Sequence, residues 1–404
     1  METMESKSEQ EIVVVSEKKS KILLVTNIPT PYRIPLFNEL KEQLERKGLG
    51  LKIVFGALGY ARRKWAVDMS QCTFEYEVLP SKNLYYFDPE KSSFTYSGLY
   101  RVISKENPFV IITNAFSIAT MKLWLWSWFL RIPYIIWSGS IVTKGRSVSF
   151  LRSIQRRMLI KRAVGYIAYG TKAKEYLISL GAAANKIQIG INTTDTEFFR
   201  AETKRIRENL EDKGRIKRLL HIGYITRRKR LDQLFYVVKS LSIRRQDFVL
   251  QLVGSGPEVK NLKNLADDLH ITNFVRFEGF KQKKEILRYL AAADCFLFPS
   301  EYDIWGLVLV EAMSAGLPCI SSIYAGATHD LIKDGVTGFA MDFSETEEVV
   351  DKANWIMDNP ESSKEIGQNA SHFIAENINI EKAATGFVSA ITKALESVDD
   401  AYIK

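Results

Sequence analysis

The stretch of sequence that decides the fold runs from Pro299 to Pro318 and reads PSEYDIWGLVLVEAMSAGLP. An apolar run of strand length, Cys295–Phe298, comes directly before it, and a polar loop then leads to Gly306. Residues 307–315 have the apolar spacing of a helix, which the closing Gly-Leu-Pro ends. A buried strand, a short loop and a helix in this order are typical of a doubly wound α/β domain, in which the amides at the helix start can bind a phosphate.

Two carboxylates lie eight residues apart in this stretch. Asp303 belongs to the loop, and Glu311 lies more than one turn into the predicted helix. On either side of an anion-binding helix start, one carboxylate can accept hydrogen bonds from ribose hydroxyls and the other from a transferred sugar. The alternative is that Asp303 only caps the helix and Glu311 is an ordinary surface residue.

Outward from this stretch, the other strand signals of the C-terminal half also end in turns suited to a nucleotide. Residues 227–230 are four consecutive cations after the first strand and Gly223, where a diphosphate would explain them; a solvated charge run is the alternative. Gly254 and Gly256 follow the second strand, and Phe280, which can pack against a base, follows the third. Because ligands bind beyond the carboxyl ends of such strands, these turns predict one common site.

Strand and helix signals alternate in both halves of the chain. This alternation predicts an α/β protein with two Rossmann-like, doubly wound domains facing each other across a cleft. The predicted divisions are a polar tail over 1–20, an acceptor-binding domain over 21–200, an interdomain linker over 201–217, a nucleotide-sugar-binding domain over 218–380 and a C-terminal helix over 381–404 that returns to the N-terminal domain.

Composition narrows the class of protein. With 404 residues, 46% hydrophobic and 25% charged, the chain is long enough for two globular domains. Its three cysteines are widely spaced and its four histidines form no metal-type pair, so we expect no disulfide, no metal requirement and a reducing, cytoplasmic environment. His221 lies within a strand signal and is predicted to be a core residue.

Positive charge is concentrated in the N-terminal half. Residues 21–200 contain 26 Lys and Arg against 12 Asp and Glu, and the segment 144–162 contains seven cations and no acid. Apolar residues recur at helical spacing within it, which predicts a basic amphipathic helix in peripheral contact with an anionic membrane; a solvated basic face is the alternative. No nucleic-acid-binding module is recognised, so nucleic acid is not expected as a partner.

The most apolar stretch, residues 123–130, contains three tryptophans. It is too short to span a bilayer, which takes about 20 residues. We expect a buried helix here, with membrane contact as the alternative.

The C-terminal half resembles the retaining glycosyltransferases of family 4, which share the GT-B fold. Their signature is a pair of acids written E-x7-E, which here is D-x7-E with Asp303 and Glu311, and their diphosphate-binding lysine matches Lys229. The resemblance covers most of residues 21–395 and is strongest over 218–340. Its other matching residues are Pro299-Ser300, Trp305-Gly306-Leu307, Ala312, Gly316-Leu317-Pro318, Gly326, Asp330, Asp334-Gly335, Gly338, Asn192 and Asp195-Thr196.

The resemblance implies transfer of a sugar from a nucleotide-diphosphate sugar, UDP or GDP, with retention of configuration and no other cofactor. The acceptor would be a glycan or lipid-linked molecule of cell-envelope polysaccharide or lipopolysaccharide synthesis. Lys229 and Arg228 would stabilise the departing diphosphate and Asp303 would orient the sugar. The donor-binding residues would be Glu311, which holds the ribose, with Gly306, Leu307, Trp305, Gly223, Gly254, Gly256 and Phe280.

Three departures from the family pattern are visible. Tyr224 stands where the family has an arginine, Ser138 lies in a strand end that lacks the expected histidine, and residues 27–33 replace a glycine-rich loop. The predicted acceptor-side residues are Arg33, Asn114 and Ser138. A catalytically silent GT-B partner subunit, and a GT-B epimerase or phosphorylase, remain as alternatives.

Overall fold

The computed structural model describes residues 21–59, 67–85, 92–142, 149–210 and 216–402. The predicted tail over 1–20 and the first part of the basic segment, 144–148, lie outside the described residues.

Fifteen strands form within the described residues. They are β1 Lys21–Thr26, β2 Gly50–Phe55, β3 Glu75–Val78, β4 Ser81–Tyr85, β5 Ser92–Tyr96, β6 Val110–Asn114, β7 Tyr134–Ser138, β8 Gly165–Ala168, β9 Ile187–Ile189, β10 Lys217–Ile222, β11 Phe248–Val253, β12 Val275–Gly279, β13 Cys295–Phe298, β14 Cys319–Ser322 and β15 Phe339–Met341.

The same part of the chain contains fourteen α-helices. They are α1 Ile34–Glu45, α2 Leu99–Glu106, α3 Ile118–Trp126, α4 Phe150–Arg162, α5 Thr171–Ser179, α6 Thr196–Arg207, α7 Leu231–Arg244, α8 Val259–Asp268, α9 Lys283–Ala292, α10 Leu307–Ser314, α11 Thr328–Leu331, α12 Thr346–Asp358, α13 Pro360–Asn377 and α14 Ile380–Tyr402.

The strands form two parallel sheets, as predicted. The N-terminal sheet has the order β3-β2-β1-β6-β7-β8-β9 and the C-terminal sheet the order β12-β11-β10-β13-β14-β15, while β4 and β5 form an antiparallel hairpin. In the central strand β1, Leu24 lies opposite Ile53 of β2 and Ile112 of β6, and all three are fully buried. Such unbroken apolar strands are the pattern of parallel sheets covered on both faces. The prediction of two Rossmann-like domains is confirmed.

The hydrophobic core continues across the boundary between the two halves. One cluster of buried residues extends from the N-terminal sheet to Phe296, Phe298 and Leu309 of the C-terminal half. A second cluster lies between the C-terminal sheet and helices α7, α8 and α12. The two sheets are therefore joined by packed side chains as well as by the chain.

Residues 196–207 form α6, so the first part of the predicted linker 201–217 is helical. Asp195 caps this helix by accepting the amide of Phe198, and Phe199 and Thr203 bury one face of it. The helix packs against α9, α10 and α13 of the C-terminal half. The helix was not recognised in the sequence because its buried face is narrow and most of its residues are charged.

The C-terminal helix α14 packs against α1, β8 and β9 of the N-terminal sheet. Its residue Phe387 is fully buried, and its ring contacts Trp137 of β7 edge-on at a centroid distance of 5.0 Å. This helix therefore supplies part of the N-terminal core although it follows the C-terminal half in the chain.

The prediction that residues 123–130 form a buried helix is wrong at its end. Helix α3 stops at Trp126, and the turn that follows leaves Trp128 57% exposed and Phe129 79% exposed. The chain then turns at Arg131, which has a φ of 53°, before entering β7. The outer side of this turn is not covered by another layer of the described structure.

We expect Phe387→Ala to lower the free energy of unfolding by about 3–5 kcal/mol, because it empties a fully buried aromatic site. Urea unfolding followed by tryptophan fluorescence measures this change. The matched control is Ile243→Ala, which removes a side chain that is 77% exposed and should change stability by about 0.5 kcal/mol or less. Equal unfolding midpoints for the two variants would contradict the structural role given to α14.

Candidate functional site

The predicted site residues of the C-terminal half follow the strands β10, β11, β12 and β13. The order of this sheet runs in opposite directions from the β10–β13 pair, which makes that pair its topological switch point. Ligands of doubly wound sheets bind in the crevice at such a point. Gly223 follows β10 there, and the amide of Gly254, after β11, donates to Gly279 of β12 at 2.8 Å.

The ion pair between Lys229 and Asp303 lies at this point. The Lys229 ammonium donates to Asp303 Oδ2 at 2.5 Å, and Arg228 Nη1 lies 3.4 Å from the same oxygen. The side chains of Lys229 and Asp303 are only 7% and 15% exposed. Burial alone would raise the pKa of Asp303, but Lys229 and Arg228 hold it below its usual range, so the carboxylate is ionised.

The four cations do not open a helix together. Arg227–Lys229 form a 3₁₀ turn, and α7 begins only at Leu231. Arg230, with a φ of 50°, turns the other way and bonds Asp232 at 3.1 Å. Arg228 and Lys229 therefore face Asp303, whereas Arg230 bonds Asp232.

Phe298, the last residue of β13, supports both sides of the site. Its ring centroid lies 4.5 Å from the Lys229 ammonium, within the range of a cation–π contact. The same ring lies where a side chain on Gly306 would be, since a Cβ there would come within 2.8 Å of it. Gly306 also has a φ of 109°, which favours glycine, and α10 begins at the next residue, Leu307.

Glu311 lies on the second turn of α10 and is half-buried, unlike an ordinary surface residue. Burial raises its pKa to about 7, and the charge of Lys283 limits the rise. Lys283 in turn lies 3.7 Å from Asp195 Oδ2 and 4.1 Å from the ring centroid of Phe198. The predicted ribose-binding carboxylate is therefore placed beside a cation at the junction of α6, α9 and α10.

The remaining predicted residues of this half are buried to different extents. Trp305 is almost fully buried, with 2% exposure. Gly256 lies in the turn that joins β11 to α8, and Phe280, half-buried, directly follows β12. These positions place the predicted donor residues along one edge of the sheet.

The predicted acceptor-side residues meet at the carboxyl edge of the N-terminal sheet. Arg33 is only 8% exposed. It donates to Thr26 Oγ1 at 3.1 Å and to the Tyr169 hydroxyl at 2.6 Å. Asn114 donates to the same Thr26 oxygen at 3.3 Å, and Ser138 Oγ accepts the amide of Ser140 at 3.1 Å.

Sequence reasoning missed two features of this region. The guanidinium carbon of Arg33 lies 4.4 Å from the ring centroid of Trp137, so this tryptophan belongs to the edge as well. A cavity of about 610 Å³, within the size range of small-molecule sites, lies beside the loop that carries Asp303. Residues of both halves line it, among them Lys172, Glu175, Tyr302, Tyr324 and Asp342.

No group of three or more His, Cys, Asp or Glu in the described ranges is placed to hold a metal ion. His221 is fully buried, and its Nδ1 lies 2.9 Å from the carbonyl oxygen of Leu297. Burial, and secondarily Lys229, lower its pKa to about 4, so it is a neutral core residue.

Glu311 should make stability depend on pH. Because its pKa is about 7 in the folded protein against 4.5 normally, the fold binds this proton more tightly than the unfolded chain and loses stability as the pH rises between those values. We expect Glu311→Gln to become more stable relative to the natural chain between about pH 5 and pH 8. Urea unfolding at a series of pH values measures this difference, and a difference independent of pH would contradict the burial of the carboxylate.

The C-terminal half is similar to a known family of proteins. The sequence model of the family described as Glycosyl transferases group 1 matches residues 202–373. Similar curated proteins include N-acetyl-alpha-D-glucosaminyl L-malate synthase of Bacillus anthracis, 28% identical over 47% of this chain and 49% of that protein, and sulfoquinovosyl transferase SQD2 of Arabidopsis thaliana, 32% identical over 48% and 38%. The chain thus spans about half the length, or less, of these relatives.

Solved structures resemble the whole described chain. The Anabaena protein Alr3699/HepE in complex with UDP has a TM-score of 0.72 at 18% identity and covers 92% of this chain and 99% of its own. Sucrose-phosphate synthase from Thermosynechococcus elongatus has a TM-score of 0.72 at 17% identity, covering 94% and 100%. At these identities the likeness establishes the fold. The chain therefore has the GT-B fold, and residues 202–373 match the model of glycosyl transferases group 1.

Proposed function

We propose that this protein is a glycosyltransferase that moves a sugar from a nucleotide-diphosphate sugar, with UDP or GDP as the nucleotide, to a glycan or lipid-linked acceptor with retention of configuration. The observation that carries the proposal is the buried Lys229–Asp303 pair, with Arg228 beside it, at the switch point of the C-terminal sheet. In this proposal the C-terminal half, over residues 218–380, holds the donor, and the N-terminal half, over 21–200, holds the acceptor.

The departing diphosphate needs positive charge that is already in place. Lys229 and Arg228 supply two cations, and the amides at the start of α10 supply the positive end of a helix dipole. Charges fixed in a partly buried site stabilise the developing negative charge more than mobile solvent does. These groups bind the diphosphate and stabilise it as it leaves, and they do so without a metal.

The two carboxylates have separate tasks. Asp303 is ionised beside Lys229, so it accepts hydrogen bonds from hydroxyls of the transferred sugar while it orients the lysine. Glu311, which lies about one helix turn after the start of α10, accepts hydrogen bonds from the ribose. Their different pKa values follow from their different neighbours: Asp303 has two cations within 3.4 Å, whereas Glu311 is influenced by Lys283 alone.

The names of similar proteins support sugar transfer. HepE structures contain UDP and UDP-glucose, and the amylovoran biosynthesis glycosyltransferase AmsK of Erwinia amylovora is 32% identical over 40% of this chain. The lipopolysaccharide galactosyltransferase WaaB has a TM-score of 0.67 at 16% identity. We therefore propose that the acceptor belongs to cell-envelope polysaccharide or lipopolysaccharide synthesis on the cytoplasmic side of the membrane.

Donor class is tested by thermal unfolding of the purified protein with UDP, GDP, ADP, CDP and TDP and their common sugars, with and without EDTA. Stabilisation by one nucleotide family, unchanged by EDTA, supports a metal-independent diphosphate site. Stabilisation by none of them favours the silent partner subunit, for which Tyr224, in place of the family's arginine, is the motivating observation.

We expect Lys229→Ala to lower kcat/KM for sugar transfer by about 100-fold or more, because it removes a preorganised charge from the leaving group. The chain should still fold, since Arg228 remains beside Asp303. The matched control is Lys260→Ala, an exposed lysine of the same domain, which should leave transfer unchanged. Near-normal turnover by the folded Lys229 variant would overturn the assignment.

We further propose that the N-terminal half binds an anionic membrane. Helix α4 exposes apolar side chains, with Phe150 78% and Leu151 75% exposed, and the turn after α3 exposes Trp128 and Phe129. The two elements are adjacent, because Arg162 of α4 donates to the Ser127 carbonyl at 3.0 Å and lies over the Trp128 ring. The turn therefore contacts the C-terminal end of α4, and both elements expose apolar side chains.

Exposed cations lie on the same helix as the exposed apolar side chains. Arg152, Arg157 and Lys161 are exposed on α4, and 149–162, the described part of the basic segment, has no acid. Apolar side chains that enter a bilayer beside cations that attract its head groups are the usual features of a peripheral membrane helix. No helix of the described residues is long and apolar enough to span a membrane.

The triple change Arg152, Arg157 and Lys161→Gln should weaken binding to phosphatidylglycerol-containing vesicles by about 100-fold at low salt, since each cation near an anionic surface contributes about 1 kcal/mol. Vesicle sedimentation with increasing salt measures this effect. Changing the exposed Lys204, Lys260 and Lys284 to Gln removes the same charge elsewhere and serves as the control. Equal losses in the two triple variants, or binding that ignores salt, would refute this contact surface.

A further inference from the structure

Helix α5 of the N-terminal half is capped by a carboxylate from the other half. The amide of Thr171, its first residue, lies 3.1 and 3.0 Å from the two carboxylate oxygens of Asp330, and the Thr171 hydroxyl donates to Asp330 Oδ1 at 2.6 Å. The residue before it, Gly170, has no side chain with which to cap the helix. Asp330 therefore supplies, across the cleft, the acceptor that a Ser, Thr, Asp or Asn usually supplies within the chain.

Gly170 leaves the space that this contact needs. A Cβ at this position would lie 2.5 Å from Asp330 Oδ2 and 2.3 Å from the ring of Trp305. Two side chains of the C-terminal half therefore touch the backbone of the N-terminal half at one point. One of them, Trp305, belongs to the same loop as Asp303.

The segment that carries Asp330 also holds the loop of Asp303. The amide of Gly326 donates to the Asp303 carbonyl at 2.9 Å, and the amide of Ala327 donates to the Trp305 carbonyl at 3.1 Å. Residues 325–330 are thus bonded to the 303–305 loop on one side and to α5 on the other. The Asp303 carboxylate at the end of this chain of contacts is the one that bonds Lys229.

We propose that Asp330 is a positioning residue, which ties the 303–305 loop to α5 so that Asp303 and Lys229 take their donor-binding arrangement when the two halves are in contact. This proposal rests on the proposed function of the site. Because coupling between two sites is reciprocal, a donor bound at Lys229 and Asp303 strengthens the Thr171–Asp330 contact, and loss of that contact weakens donor binding. Donor binding, and with it sugar transfer, is thereby favoured when the acceptor-binding half contacts the C-terminal half through Thr171 and Asp330.

The test uses four single variants of the full chain. Thr171→Val removes the hydroxyl bond and Asp330→Ala removes the cap, whereas Thr171→Ser keeps both donors and should behave as the natural protein. The control is Ile178→Ala on the same helix, whose side chain is 43% exposed. Calorimetry measures the affinity for the stabilising nucleotide sugar, and hydrogen exchange measures protection of the Gly326 and Ala327 amides without any donor.

We expect Asp330→Ala and Thr171→Val to bind the donor about 5- to 50-fold more weakly, within the usual range of coupling between sites. The Gly326 and Ala327 amides should exchange faster in both variants. The double variant Thr171→Val/Asp330→Ala should lose no more donor affinity than the single variant that binds more weakly. Thr171→Ser and Ile178→Ala should match the natural chain in both measurements.

The two proposals fail in different ways. If the natural protein binds a nucleotide sugar and Asp330→Ala binds it equally well, the positioning role is overturned and the proposed function stands. If the natural protein binds none, the proposed function fails. Exchange at Gly326 and Ala327 that is unchanged by Asp330→Ala overturns the positioning role whether or not a donor binds.

Discussion

The buried ion pair between Lys229 and Asp303 is the interaction on which the arrangement of the site depends. Taking two charges out of water costs several kcal/mol per ion, and well-packed apolar side chains often stabilise a fold equally well. The pair therefore contributes little as a source of stability. It fixes the Lys229 ammonium at the switch point of the C-terminal sheet, over the Phe298 ring. The same ring packs against Gly306, which directly precedes α10.

The two halves are held together by an exchange of helices. Helix α6 leaves the N-terminal sheet and packs on the C-terminal half, and α14 leaves the C-terminal half and packs on the N-terminal sheet. Buried residues of α6 and α14 belong to one hydrophobic cluster that includes residues of both halves. This exchange explains why the cleft has a defined geometry, with side chains of one half completing structures of the other.

The sequence was sufficient to predict two parallel sheets and the sheet edge at which the turns lie, because parallel strands are apolar throughout and their carboxyl ends meet at one edge. It could not show that Lys229 bonds Asp303, which is 74 residues away, or that Gly170 is fitted to Trp305. The apolar character of residues 123–130 also did not reveal that Trp128 and Phe129 are exposed. Whether another element covers a side chain depends on the arrangement of the whole fold. The roles of Arg33, Asn114 and Ser138 stay predictions, although all three lie at one sheet edge.

The two crossings of the chain meet at a single place. The Thr193 hydroxyl, just before α6, donates to the carbonyl oxygen of Ile378, just before α14. The two chain segments that connect the halves are therefore hydrogen-bonded to each other and lie side by side at this place. A rotation of one half against the other about this point would move the far rim of the cleft the most and the backbone beside Thr193 and Ile378 the least.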